Sequence, residues 1–140
     1  MRIEFHYEVD FKLNLETLYS DWITRIIDRE NASLGNLSYI FCDDSYLLKI
    51  NQEHLKHDTL TDIITFDYTE NSVISGDIFL SIDRIKENAS QFEVAVDEEI
   101  HRVMSHGLLH LLGYNDKSSE EKDLMRNKEN EMMELFHVEQ

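Results

Sequence analysis

Residues 105–117 read Ser-His-Gly-Leu-Leu-His-Leu-Leu-Gly-Tyr-Asn-Asp-Lys, and they constrain the chain more than any other stretch. The pattern is H-x-x-x-H-x-x-G-x-x-D, made by His106, His110, Gly113 and Asp116. Four residues advance a helix by about 400°, so His106 and His110 point the same way and both imidazoles reach one ion. Gly113 suits the position just past a helix end, where a left-handed residue is needed. The chain then turns back and offers Asp116 as a third ligand. Two imidazoles and a carboxylate leave one tetrahedral position open, the arrangement of a catalytic zinc rather than a closed structural one.

The expected partners of this site follow from charge. Thirteen basic residues against twenty-nine acidic ones give a net charge of −16. Phosphate repulsion then argues against general nucleic-acid binding and against DNA, unless a local basic cluster overcomes it. Lys49, His54, Lys56 and His57 form the best such cluster. Much of the remaining charge reads as a solvated surface. The single cysteine, Cys42, permits no internal disulfide and reads as a core thiol in a strand. Neither a signal-peptide pattern nor a membrane-length apolar run is present, so a cytoplasmic protein without membrane contact is expected.

Periodicity places the elements. Residues 2–9 alternate Ile3, Phe5, Tyr7 and Val9 with polar residues, a strand pattern. Asn14 is placed to cap a helix to about Glu30, with Leu15, Leu18, Trp22 and Ile26 as its apolar stripe. Gly35 and Asn36 read as a turn before a strand over 37–42. Asp43 caps a helix to about His57, and strands follow over 61–68 and 73–82. Asp83 is placed to cap a short helix to about Gln91. The long helix carrying the histidines spans about 96–112, and a last helix runs from about 118 to 136 behind the capping box Ser118–Glu121. The chain reads as one α+β domain over residues 1–140, with a small four-stranded sheet packed against about five helices.

On the long helix the two histidines fall at the margin of the buried stripe, where a cleft wall would lie. Glu99 lies on the same line two turns earlier. It reads first as a surface acid, and second as a group that orients a ligand or the bound water. His101 and His137 point elsewhere and read as structural. A three-ligand zinc acidifies its water and polarises a substrate oxygen, so hydrolysis is the reaction class. Zinc peptidases place a glutamate base directly after the first histidine, and here that residue is Gly107, which weakens that reading.

The run from His106 to Asp116 resembles the signature of the YbeY endoribonuclease family, H-G-x-L-H-L-x-G-Y-D-H. Thr61-Asp62-Ile63-Ile64-Thr65-Phe66 is similar to that family's T-D-V-L-S-F strand, and Gly76-Asp77-Ile78 to its G-D-I strand. The resemblance implies a zinc-dependent single-strand endoribonuclease with one zinc per chain. It also implies a role in ribosomal RNA maturation and ribosome quality control, acting on ribosomal RNA precursors and ribosomal subunits. His106 and His110 match two of the family's ligands; Asp116 stands where the third is normally histidine. Leu55 stands where the family has an arginine, and Lys56 or His57 would have to supply that charge. Leu60 replaces the usual proline. The general base is not assigned; Lys56, His57 and Glu99 are the candidates, and Lys49, Lys56 and His57 are the candidate RNA contacts. Two alternatives accompany this reading: a non-catalytic ribosome-assembly factor braced by a structural metal, and a zinc peptidase-like hydrolase.

Overall fold

In the computed structural model, which describes residues 1–55 and 60–138, four strands form one mixed sheet in the order β1-β2-β4-β3. They are β1 (Arg2–Tyr7), β2 (Ser33–Cys42), β3 (Ile63–Asp67) and β4 (Val73–Ser81). β1 and β4 both run parallel to β2, and β3 pairs antiparallel with β4. The helices are α1 (Glu16–Arg29), α2 (Asp44–Ile50), α3 (Ile82–Phe92), α4 (Val96–Leu111) and α5 (Ser119–Val138). The four-stranded α+β architecture read from periodicity is the one observed.

The strand alternation sets the core. Ile3, Phe5 and Tyr7 lie beside Leu37, Tyr39 and Phe41, which in turn lie against β4 with Tyr39 opposite Ile78 and Phe41 opposite Leu80. Facing them are Trp22, Ile23, Ile26 and Ile27 of α1, Ile100, Val103, Met104, Leu108 and Leu111 of α4, and Met132 and Phe136 of α5. Burying side chains of this size contributes about 1.5–3 kcal/mol each, which fixes α4 on the sheet. The Trp22 indole N–H donates to the Met132 carbonyl at 2.7 Å and ties α1 to α5. A smaller cluster of Cys42, Leu47 and Ile64, flanked by Phe66 and Phe79, lies under α2.

Local expectations fail where tertiary contacts overrule them. Gly35 and Asn36 lie inside β2 rather than in a turn, at a register shift between Leu34 and Leu37. A side chain on Gly35 would run into Ser75 Oγ, which instead accepts from the Asn36 N–H at 3.2 Å. Leu15, not Asn14, precedes α1, with φ 61° and no side-chain cap, and its own side chain is exposed. The approach there is set by Tyr7, whose hydroxyl donates to Glu16 at 2.6 Å and accepts from the Leu13 N–H at 3.4 Å. Ser81 rather than Asp83 caps α3, accepting from the Arg84 N–H; Asp83 instead accepts from the Asp44 N–H at the start of α2. The helix expected from Asp43 to about His57 is α2 followed by a π-helical turn over Asn51–Leu55. The box at the start of α5 is present: Glu121 N–H donates to Ser118 Oγ at 3.1 Å, and Ser118 N–H to Glu121 Oε1 at 2.9 Å. No helix is long and apolar enough to cross a membrane among the described residues.

His101, read as structural, is buried between Tyr19, Trp22 and Phe136, with Tyr19 Oη 3.2 Å from its Nε2. Burial, with the nearby His137, pushes its pKa down to about 4. The unfolded chain then binds a proton between pH 6.5 and 4 that the folded chain does not, so stability falls as pH drops through that window. The expected loss from this group is roughly 3 kcal/mol. Urea denaturation at pH 7 and pH 4.5 should show a smaller acid loss for His101→Phe than for wild type. Equal losses in the two proteins would contradict this.

Candidate metal centre

α4 and the turn after it deliver the three candidate ligands. Gly113 N–H donates to the His110 carbonyl and Tyr114 N–H to the Leu109 carbonyl, both at 3.0 Å, with Gly113 at φ 102°. This paired closure is the glycine-ended turn expected from sequence. It reverses the chain and brings Asp116 back over the helix end. His106 Nε2 then lies 3.0 Å from His110 Nε2, and Asp116 Oδ2 lies 3.2 Å and 3.5 Å from those two nitrogens. Among the described residues these are the one group of three or more His, Cys, Asp or Glu placed to hold a metal ion.

The far nitrogen of each ring is pinned. His106 Nδ1 lies 2.7 Å from Glu129 Oε2, and His110 Nδ1 lies 3.0 Å from the Tyr114 carbonyl oxygen. A carboxylate and a carbonyl only accept, so both Nδ1 atoms carry hydrogen and both Nε2 lone pairs face one another and Asp116. Two lone pairs and a carboxylate oxygen this close repel unless a cation or a proton sits among them. The donor set therefore fits a divalent metal held by N, N and O. Burial opposes charge on His106, but the hydrogen bond and charge of Glu129, with Asp116 and Asp62, outweigh it and raise its pKa.

Glu129 is the residue that sequence reading missed. It comes from α5, is 5% exposed, and accepts from Arg102 Nη1 at 2.9 Å as well as from His106. Burial works to raise its carboxyl, but the hydrogen bonds from His106 and Arg102 outweigh that and hold it below the ordinary range. Arg126 stands 3.8 Å away on its other side. The turn is braced in the same manner: Tyr114 Oη donates to Glu30 at 2.6 Å, and Lys128 donates to the same carboxylate at 3.1 Å.

Glu99 is 4% exposed rather than on the surface, because α4 turns that line toward β3 and α5. It lines a cavity of about 300 Å³ with Asp62, Phe92, Arg126 and His106. Burial raises the pKa of both Glu99 and Asp62. Lys49 is exposed on α2 and is not among the residues lining this cavity. Lys56 and His57 lie outside the described residues. Leu55 ends the π-helical turn, 44% exposed.

The family model described as Endoribonuclease YbeY matches residues 3–137. The chain belongs to the YbeY endoribonuclease family. A relative named Endoribonuclease YbeY from Flavobacterium psychrophilum is 54% identical over 138 residues, covering 99% of both chains. One of the same name from Flavobacterium johnsoniae is 53% identical with the same coverage. The solution structure of TM1509 from Thermotoga maritima superposes with a TM-score of 0.72 at 26% identity, over 96% of this chain and 88% of that one.

The YbeY glycine after the first histidine has a packing reason. A Cβ on Gly107 would come 2.7 Å from Ile63 Cδ1 and 3.0 Å from Ile78 Cγ2, so this face of α4 is pressed onto β3 and β4. A glutamate base at that position would be driven into the sheet, not toward the ligands, and the peptidase arrangement does not fit. Gly107→Glu is expected to lose about 3 kcal/mol or more from overpacking and a buried charge, without gaining peptidase activity. A thermal melt unchanged from wild type would contradict this.

Proposed function

We propose that this chain is a zinc-dependent endoribonuclease that cleaves single-stranded regions of ribosomal RNA precursors, with His106, His110 and Asp116 holding one zinc per chain. The observation that carries the reading is the pair of pinned Nδ1 atoms, which leaves both Nε2 lone pairs aimed at one point beside Asp116. Family membership supports the reaction class, since the relatives are named endoribonucleases. Zinc bound there supplies a Lewis acid and an acidified water.

The protein's own groups do the rest. Glu129 and the Tyr114 carbonyl hold the two rings at fixed angles, so no reorganisation is needed at the moment of reaction. Arg126, exposed beside Glu129, is placed to meet a phosphate oxygen. Glu99 and Asp62 line the cavity beside His106 and give it acceptor oxygens for the substrate. A role in ribosome maturation and quality control in the cytoplasm follows the family and is part of the same proposal. Among the described residues only three protein ligands gather, and a cavity abuts one of them, which favours a working centre over a metal that merely braces the helix end.

Elemental analysis should find about one zinc per wild-type chain and marked loss in His110→Ala and Asp116→Ala, with cleavage of single-stranded RNA lost in step. Glu129→Gln should weaken zinc binding roughly 10–100-fold in a competitive chelator titration. Full metal content and full cleavage by His110→Ala would refute the assignment. Loss of stability in Asp116→Ala, with no cleavage by the zinc-loaded wild type, would favour the assembly-factor alternative.

A further inference from the structure

Phe92 has no role in the chemistry above, and Arg126 is shared between two cavities. Phe92, at the end of α3, is 58% exposed although it lines the cavity at His106. Arg126 lines both that cavity and a second one of about 270 Å³, which also contains His106, Asp116 and Lys122. The two cavities therefore meet along His106, Arg126 and Glu129.

The first cavity has the composition of a base-binding pocket. Its volume of about 300 Å³ lies at the lower bound of small-ligand pockets, enough for a nucleobase. It offers one aromatic face, an apolar floor at Ile63, and the carboxylates of Asp62 and Glu99 as acceptors. Arg102 is committed to Glu129 and Asn130, whereas among the described residues Arg126 is held by a 3.8 Å ion pair and its side chain is 60% exposed. An exposed ring with a loosely held guanidinium is the pairing that stacks a base and grips its phosphate.

We propose that this cavity is the subsite for one unpaired nucleobase adjoining the scissile phosphodiester, stacked on Phe92, its exocyclic amine facing Asp62 and Glu99, its phosphate met by Arg126. The proposal rests on the endoribonuclease reading above and adds to it the reason for single-strand selectivity. A base in a duplex cannot leave its stack to enter the cavity without the cost of unpairing. It also explains how a chain of net charge −16 retains RNA: affinity comes from one stacked base and few phosphate contacts, not from a long basic track. Cytosine and uracil share ring size and differ along one edge: cytosine presents the N4 amine, with two N–H donors, beside an acceptor N3, and uracil a carbonyl beside a single N3–H. Two carboxylates accept from both N–H groups of the amine, whereas uracil offers one N–H flanked by carbonyls that they repel.

The test is fluorescence anisotropy of zinc-loaded protein with heptacytidylate and heptauridylate, alongside cleavage of both. Heptacytidylate should bind about tenfold tighter than heptauridylate. Phe92→Ala should weaken heptacytidylate binding about tenfold with zinc content unchanged, and Phe92→Trp should restore it. With Arg126 and Lys122 as the two phosphate contacts, log affinity should fall with log salt at a slope of about −1.4. Equal binding by Phe92→Ala and wild type would overturn the subsite while leaving the nuclease reading standing. Equal affinity for the two oligonucleotides would remove the carboxylate readout. A slope several times steeper would show that a longer phosphate track carries the affinity. Failure of the zinc-loaded wild type to bind or cleave either strand would remove the nuclease reading as well.

Discussion

The site depends on the two hydrogen bonds that decide which nitrogen of each histidine faces inward. An imidazole has two chemically similar ends, and only an acceptor behind one of them selects the other for a ligand. Glu129 does this for His106 and the Tyr114 carbonyl for His110. The first acceptor is on α5, so the docking of α5 against α4 is part of the site, not only of the core. The second belongs to the turn that Gly113 closes, and Glu30 of α1's C-cap steadies that turn through Tyr114. One small constellation thus draws on α1, α4 and α5. Trp22, which joins α1 to α5 through the Met132 carbonyl, supports it from the core.

The same interlocking explains which parts were legible in the sequence. His106, His110, Gly113 and Asp116 lie within one helix end and its turn, so helical periodicity and the needs of a left-handed residue nearly suffice to place them together. Glu129 lies 23 residues from His106 on another helix, and no local rule links the two. A signal was present: Met125, Glu129, Met132 and Phe136 share one helical line, and an acid in an otherwise buried stripe asks for a buried partner. Glu99 erred in the opposite direction. Its character suggested surface, but its position on α4 placed it beside Asp62 and Val103 in the cavity wall.

The misplaced caps share one cause. Asn14 and Asp83 have good capping propensity, a local quantity worth about 1 kcal/mol. Contacts made elsewhere in the fold outweigh it. Tyr7 fixes how the chain enters α1 through Leu13 and Glu16. At the starts of α2 and α3, Asp44 accepts from Ser81 Oγ and Arg84 Nε while Asp83 accepts from Asp44 N–H, so the two helix ends cap one another. Gly35 shows the same ordering of effects, since the space beside Ser75, not turn propensity, determines what it does.

Electrostatics connects the site to the acidity of the whole chain. Around the candidate metal position stand the carboxylates of Asp62, Glu99, Asp116 and Glu129, against the guanidiniums of Arg102 and Arg126. Fully ionised, and with Lys122 counted, these groups leave one negative charge, which one divalent cation more than offsets. Burial raises the pKa of Asp62 and Glu99, while the carboxylates of Glu129, Asp116 and Asp62 outweigh burial and raise that of His106. A cation at His106, His110 and Asp116 would compete with protonation of the His106 Nε2 and lower the pKa of the neighbouring acids by its field. Asp116, where the family normally has histidine, adds to this coupling. A carboxylate ligand brings its own charge, so it attracts the cation more strongly and leaves it a weaker Lewis acid. Arg126, loosely paired with Glu129, and Lys122 at the cavity mouths are then placed to offset the charge of an arriving phosphate.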